Sequence, residues 1–422
     1  VAEPSAALAR QILQRVGEIG QPPEVGLQFL NVGNDSLLDV LQHEYLVPIA
    51  QTGRGSSFKL VQAYFGGGKT HFLMCVRELA WKRGFCSAVV GLSPDECPFD
   101  DPLRTYQAVA RELAWAPADP LVPPARGIEQ ALRTALDERL QQVDPDELRR
   151  WLTHDLRRQP VDSPSYRSAV VALLVAMLDD DVDSEELATA WLRGDPVGAA
   201  EARALRIREP MTKTNGFRML RSLLQVLQAL GAPGTLLCFD ELDRNLSLPP
   251  RRRRAVADNL RQLIDLCGRE ALPGLLCLYA APPEFMRHVV TEYPALQQRL
   301  EGPSALSERS PQAAVIDLER LDLGAEALLV RIGLRLLDLF RIGRDPDLDP
   351  DLQERNLRAL AEEVLAGSFE VAHRRAFVKA AVDLLHRQSG DQRPVSHGEL
   401  GELAGHGAQV VMLRSDDGFE DF

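Results

Sequence analysis

A parallel α/β sheet flanked by helices, with a helical insertion and a C-terminal helical lid, is the fold class that three observations in this 422-residue chain predict. Short apolar runs alternate with helical patterns along much of the sequence. One run opens into the octet Ala63-Tyr64-Phe65-Gly66-Gly67-Gly68-Lys69-Thr70, and another ends in the acidic pair Asp240-Glu241. Strands that alternate with helices build parallel sheets with right-handed crossovers. A strand without polar alternation is one covered on both faces.

The octet is a P-loop signature with Ala63 in place of the leading glycine. Gly66, Gly67 and Gly68 let the backbone fold into a nest of N–H donors around a β-phosphate. Lys69 can then reach the β/γ oxygens, and the Thr70 hydroxyl can take one position on Mg²⁺. The flanks have the order that such a loop requires. Phe58 to Ala63 suits a short strand, and Thr70 to Ala80, with His71 next to the loop, has helical spacing. The octet and His71 are therefore the candidate contacts to a nucleoside triphosphate, and a P-loop NTPase is the expected class.

Gly234 to Glu241 supplies the second half of such a site. The run Leu236-Leu237-Cys238-Phe239 reads as a buried strand, which puts Asp240 at the carboxyl edge of the sheet, beside the loop. Asp240 would hold Mg²⁺ through water, and Glu241 would orient and polarise the attacking water, a role that separates hydrolysing NTPases from nucleotide kinases. The alternative for the pair is a helix N-cap or a solvated turn.

With 45% hydrophobic residues the chain can bury a large core, and the longest apolar stretches, such as 169–177, are too short to span a bilayer. Six scattered cysteines without metal-ligand spacing fit reduced thiols and a cytoplasmic setting. A net charge of −13 argues against a surface coated for phosphate binding. One local exception is Arg251-Arg252-Arg253-Arg254, which could face DNA, a neighbouring subunit or water.

The organisation expected is a helical segment at 1–55, a core divided into 56–115 and 214–320, a helical insertion at 116–213, a lid at 321–413 and an acidic tail at 414–422. Strands are expected at 85–91, 274–280 and 313–318, beside the two already described, and a helix at 102–115. Insertion helices are expected near 127–142, 145–157 and 165–178, as a partner-binding or regulatory device. The lid pattern is similar to AAA+ NTPases, in which an arginine of the lid touches the phosphates and another reaches across from the next protomer. Arg375 is the lid candidate, with Arg374 beside it, and Arg299 is the candidate that reaches across a homo-oligomer. An ordinary surface ion pair is the alternative for each.

Four segments carry a wider resemblance: Phe58 to Leu73 with Gly-Lys-Thr-His-Phe-Leu, Gly91 to Glu96, Trp191-Leu192-Arg193-Gly194, and Leu237 to Asp243. Together they resemble the ATP-binding proteins of bacterial BREX phage-defence systems, in particular the short BREX ATPase encoded beside a large helicase-like protein. The resemblance runs from about residue 20 to 390. It implies an AAA+-like ATPase, distantly akin to origin-recognition and helicase-loader proteins, that uses ATP and Mg²⁺ and works with a helicase-like or other BREX partner. One departure is useful. The strand at 274–280 ends in Tyr279 where that wider group has a Ser, Thr or Asn to position the lytic water, so Tyr279 substitutes or hydrolysis waits on a partner. The function expected is ATP-driven remodelling or loading of a partner or of DNA. The alternative is a nucleotide-gated binding module that recruits a helicase or methyltransferase.

Overall fold

The structure is a computed structural model that describes residues 3–93, 97–241, 248–321, 323–367 and 373–416, with side chains described for all of these except 19, 241 and 408–416. Five parallel strands form one sheet in the order β2-β3-β4-β1-β5. They are β1 Ser56–Gln62, β2 Cys86–Leu92, β3 Thr235–Glu241, β4 Leu275–Ala281 and β5 Val315–Asp317. The sequence places all five to within two residues at each end. β5 is short as a ladder, yet its neighbours extend it: Leu60 N–H donates to Ala314 at 2.8 Å, and Leu318 N–H to Gln62 at 2.9 Å.

The central strands are apolar because both faces are covered. Every residue of β4 is buried. Leu237, Phe239, Cys277 and Tyr279 face one core cluster, while Leu236, Cys238, Leu276 and Leu278 face another. The second cluster is closed by the helix Lys69–Trp81 and by the short helices Asp35–Leu41 and Val47–Thr52. The first is closed by Pro102–Glu112, Gly216–Ala229 and Pro250–Gly268.

The helix expected over 102–115 stops at Glu112, because the chain then turns to pair with the edge strand. Ala114 N–H donates to Ser87 at 2.8 Å, and Ser87 N–H returns the bond to Ala114 at 2.9 Å. An open β2 edge is thereby part-covered.

Helices of the insertion, Ile128–Leu140, Pro164–Asp179 and Val182–Arg193, belong to the same cluster as the first face of the sheet. The Tyr106 hydroxyl joins them to the core, lying 2.9 Å from the Tyr166 hydroxyl and donating to the Leu192 carbonyl at 2.6 Å. Trp191 is fully enclosed there. The C-terminal helices Ala325–Gly343, Pro350–Ala366, His373–Gln388 and His397–Asp416 build a third cluster. The last of these takes up residues 414–416 of the expected acidic tail, and 417–422 lie outside the described residues. The N-terminal helix Ala6–Ile19 packs into this third cluster through Leu8, Ala9, Ile12, Leu13 and Val16, so the start of the chain is bound to its end.

Gly216 marks where the helix Gly216–Ala229 meets the start of Pro102–Glu112. A Cβ on Gly216 would stand 2.4 Å from both the Pro102 carbonyl carbon and oxygen. Backbone cannot yield as a flexible side chain can, so Gly216→Ala should lower the denaturation midpoint by an amount equivalent to about 1–3 kcal/mol. An unchanged midpoint in chemical denaturation would show that the two helices separate freely.

Candidate nucleotide-binding site

Register positions the two halves of the site. Val61 on β1 stands level with Ala280 on β4, which stands level with Asp240 on β3. The loop that leaves β1 at Ala63 therefore rises at the same sheet edge as Asp240. Gly66 and Gly68 adopt left-handed φ values of 74° and 91°, which a residue with a Cβ resists. Ala63 is fully buried and has no such φ, so the replacement of the leading glycine costs the loop nothing in backbone strain. Gly67 is needed for space: a Cβ there would meet Glu319 Oε1 at 2.5 Å and the Ala63 methyl at 2.9 Å.

Lys69 opens the helix Lys69–Trp81 and is 7% exposed. Its ammonium donates to the Ala63 carbonyl at 3.0 Å and the Tyr64 carbonyl at 3.1 Å, which holds it over the loop. The Thr70 hydroxyl donates to Asp240 Oδ2 at 2.5 Å across 170 residues of sequence. These are the oxygen donors that a hard cation with several waters takes. The side chain of Glu241 lies outside the described residues; its backbone ends β3, opposite Leu92.

A cavity of about 1120 Å³, counting its open mouth, lies over the loop. Gly66, Gly68, Lys69, Thr70, His71 and Asp240 form its polar end. Most of the remaining lining is apolar, from the N-terminal segment (Val16, Pro22, Leu30, Val32) and the C-terminal helices (Leu328, Ile332, Leu336, Val378), with Gln21, Asn34, Arg374 and Arg375 beside them. Phosphates suit the polar end and a flat base the apolar lining.

The structure brings both lid arginines to this cavity and distinguishes them. Arg374 donates to the Gly67 carbonyl within the loop and to the Leu318 carbonyl at 3.1 Å, and Glu319 lies 3.8 Å from it. Arg375 donates to the Gly20 carbonyl at 3.2 Å and stands 5.3 Å from the Phe65 ring centre. Arg299 is not among the cavity residues. It forks onto Asp265 at 2.5 and 3.0 Å, in the neighbouring helix Pro250–Gly268. Tyr279 is also outside the cavity, its ring packed against Phe99, Phe239 and Phe285. In the basic run, Arg252 pairs with Asp100 at 2.8 Å and Arg253 with Glu292 at 4.0 Å, while Arg251 and Arg254 are exposed.

Sequence reasoning missed three contributors. Glu319, two residues past β5, accepts the Tyr64 N–H at 3.0 Å and steadies the loop from its outer side. Asn34, 7% exposed, lines the cavity from the N-terminal segment. Glu24 ties that segment to the helix of the P-loop through Arg77 at 3.1 Å, and to the entry of the insertion through Arg126 at 2.8 Å. Burial works against ionisation of Glu24, but Arg77 and Arg126 outweigh it and hold the carboxyl below its usual range. The clustered Asn31-Val32-Gly33-Asn34-Asp35 was the one available signal, a turn-rich stretch inside a region that otherwise reads as helix.

A glycine loop between β1 and its helix, an acid at the end of β3 and C-terminal helices lining the same cavity give the chain the AAA+-like P-loop fold. Residues 5–397 match the family model described as BREX system ATP-binding protein BrxC/D, and the chain belongs to that family. Among solved structures it is similar to the Aeropyrum pernix ORC2 protein in its ADPNP–ADP complexes, with 15% identity, a TM-score of 0.46, and coverage of 96% of this chain and 74% of that one. A comparison with curated proteins gives no match. No helix among the described residues is long and apolar enough to cross a membrane.

Burial, with Arg374 adding to it, pushes the His71 imidazole down to about 4, so this ring is neutral at physiological pH. In the unfolded chain the ring would titrate near its ordinary 6.5. The fold therefore keeps its full stability from this group above pH 6.5 and loses it as the pH falls towards 4. A His71→Asn variant should lose less stability than the parent over that interval, read from urea midpoints at pH 7.5, 6 and 5. Parallel curves for the two proteins would remove His71 from the acid response.

Proposed function

We propose that this BREX-family protein hydrolyses ATP and couples turnover to remodelling or loading of a partner or of DNA. One observation carries the reading: Lys69, Thr70 and Asp240 converge on one cavity whose remaining lining is mostly apolar, as a base requires. ATP would lie with its phosphates on the amides of Gly66 to Thr70 and with Lys69 released from its carbonyls onto the β/γ oxygens. Mg²⁺, held by Thr70 and through water by Asp240, would neutralise charge on those phosphates when bound. Glu241 follows Asp240 at the strand end and would take the proton of the attacking water.

The lid would report on the γ-phosphate through an arginine. The contact of Arg374 with the Gly67 carbonyl favours it for that role, and Arg375 would brace the N-terminal segment. Arg299 would serve a neighbouring copy in a homo-oligomer, provided a phosphate there outcompetes Asp265. DNA would meet Arg251 and Arg254, since Arg252 and Arg253 are engaged with acids of their own chain.

A second reading has an observation in its favour. Tyr279 is committed to an aromatic cluster, and Ala280 and Ala281 follow it on β4, so that strand end offers the lytic water no side chain among these three. A slow enzyme whose ATP state recruits a helicase-like partner would have this feature.

The Glu241→Gln variant should keep ATP affinity within about threefold and lose about 10²-fold or more in turnover, measured by phosphate release with and without DNA. If wild-type turnover is absent in both conditions, the enzyme reading fails and the recruitment reading stands; turnover kept by the variant would remove Glu241 from the chemistry.

A further inference from the structure

We propose that Asn34 is the base-reading residue of the cavity, its side-chain oxygen accepting the 6-amino group of adenine, so that this chain selects ATP over 6-oxopurine triphosphates. The inference rests on the binding of a nucleoside triphosphate at the P-loop and names the residue that chooses the base.

Asn34 Oδ1 is shielded from solvent and has no hydrogen-bond partner among the described residues; of the residues that line the cavity, it alone has such an atom. A buried acceptor left unmade costs about 1–3 kcal/mol, so its presence in a ligand cavity calls for a donor from the ligand. The ordinary use for this oxygen is not taken. Asn34 stands at the N-cap of the helix Asp35–Leu41, where an asparagine usually accepts a backbone N–H of the first turn, yet its side chain makes no such bond.

The amide is also fixed in orientation, which settles which atom is left over. The Asp35 carboxylate can only accept, and it takes Asn31 Nδ2 at 2.9 Å. That leaves Asn31 Oδ1 as an acceptor, and it takes Asn34 Nδ2 at 3.2 Å. The chain of two amides thus begins at a carboxylate and ends in a carbonyl oxygen of a residue that lines the cavity. Adenine carries an amino donor at position 6, whereas hypoxanthine and guanine carry an acceptor there, which would face this oxygen without a proton between them.

Position agrees. Asn34 lines the cavity together with Leu30 and Val32 of the N-terminal segment and Leu328 and Ile332 of the C-terminal helices, the apolar part of the lining. His71, a polar ring that also lines the cavity, lies in the helix that carries the phosphate contacts, and its Nε2 is 3.4 Å from Cys75 Sγ.

The test is a calorimetric titration of the full chain, with magnesium, against ATP, purine riboside triphosphate (no 6-substituent), inosine triphosphate and 2′-deoxy-ATP. Wild type should bind purine riboside triphosphate about 5–10-fold more weakly than ATP and inosine triphosphate about 10-fold more weakly or worse. Asn34→Leu should bring the three ribonucleotides to within about twofold of one another. Asp35→Ala, at an exposed position, should narrow the same series by freeing both amides to turn over, and it serves if Asn34→Leu folds poorly. Equal binding of ATP and purine riboside triphosphate by wild type overturns the assignment, as does an unchanged series in either variant. A loss confined to 2′-deoxy-ATP would move the contact to the ribose and also overturn it. If none of the four nucleotides binds wild type, triphosphate binding itself has failed.

Discussion

The parallel register of β1, β4 and β3 is the constraint from which the rest of the site follows. Because Val61, Ala280 and Asp240 stand level, the loop that begins at Ala63 has its first helical turn beside the acid, and the Thr70 hydroxyl reaches Asp240 at 2.5 Å. A slip of one residue in either pairing would turn each strand's buried set to the opposite face. The two apolar clusters on either side of the sheet hold that register, so core packing and nucleotide chemistry are one requirement here.

The remaining walls of the cavity come from the two ends of the chain. The helix Ala6–Ile19 packs on the C-terminal helices, with Gly17 against Val382 and the Lys379 ammonium donating to the Glu18 carbonyl at 3.3 Å. From there the backbone crosses the cavity at Gly20 to Pro22 and is tied down by Glu24 on Arg77, and by the Gly26 N–H on Glu78 at 2.5 Å. A ligand between these walls touches the C-terminal helices, the N-terminal segment and the sheet edge together. Binding energy can therefore change the relation of the three, which is the physical basis of the coupling we propose. The salt bridge of Arg126 to Glu24 extends the same connection to the start of the insertion.

Much of the fold was legible because the signals were local. Continuous apolar runs such as Leu236 to Phe239 could only be buried strands, and Gly66-Gly67-Gly68-Lys69-Thr70 had to follow one. The helix at 102–112 ended early for a reason the sequence does not display, since Ala114 answers the open edge of β2. The N-terminal helix could be read as a helix, but its partner, more than 300 residues away in sequence, could not. The same limit explains the site. The loop and Asp240 announce themselves by motif, whereas Asn34, Glu319 and Glu24 act through contacts that only the folded chain makes. That Arg374 and not Arg375 reaches the Gly67 carbonyl likewise needed the helix His373–Gln388 placed against the loop.

The central claim is that ATP is held by the loop between β1 and its helix, with Lys69 supplying the charge that fixes the phosphates. Equilibrium titration of wild type and Lys69→Ala with ATP, in the presence of magnesium, tests it most directly. Wild type should bind one ATP per chain, and the variant, folded to the same denaturation midpoint, should bind about 100-fold more weakly or show no binding. ATP binding of equal strength by the two proteins would contradict the account.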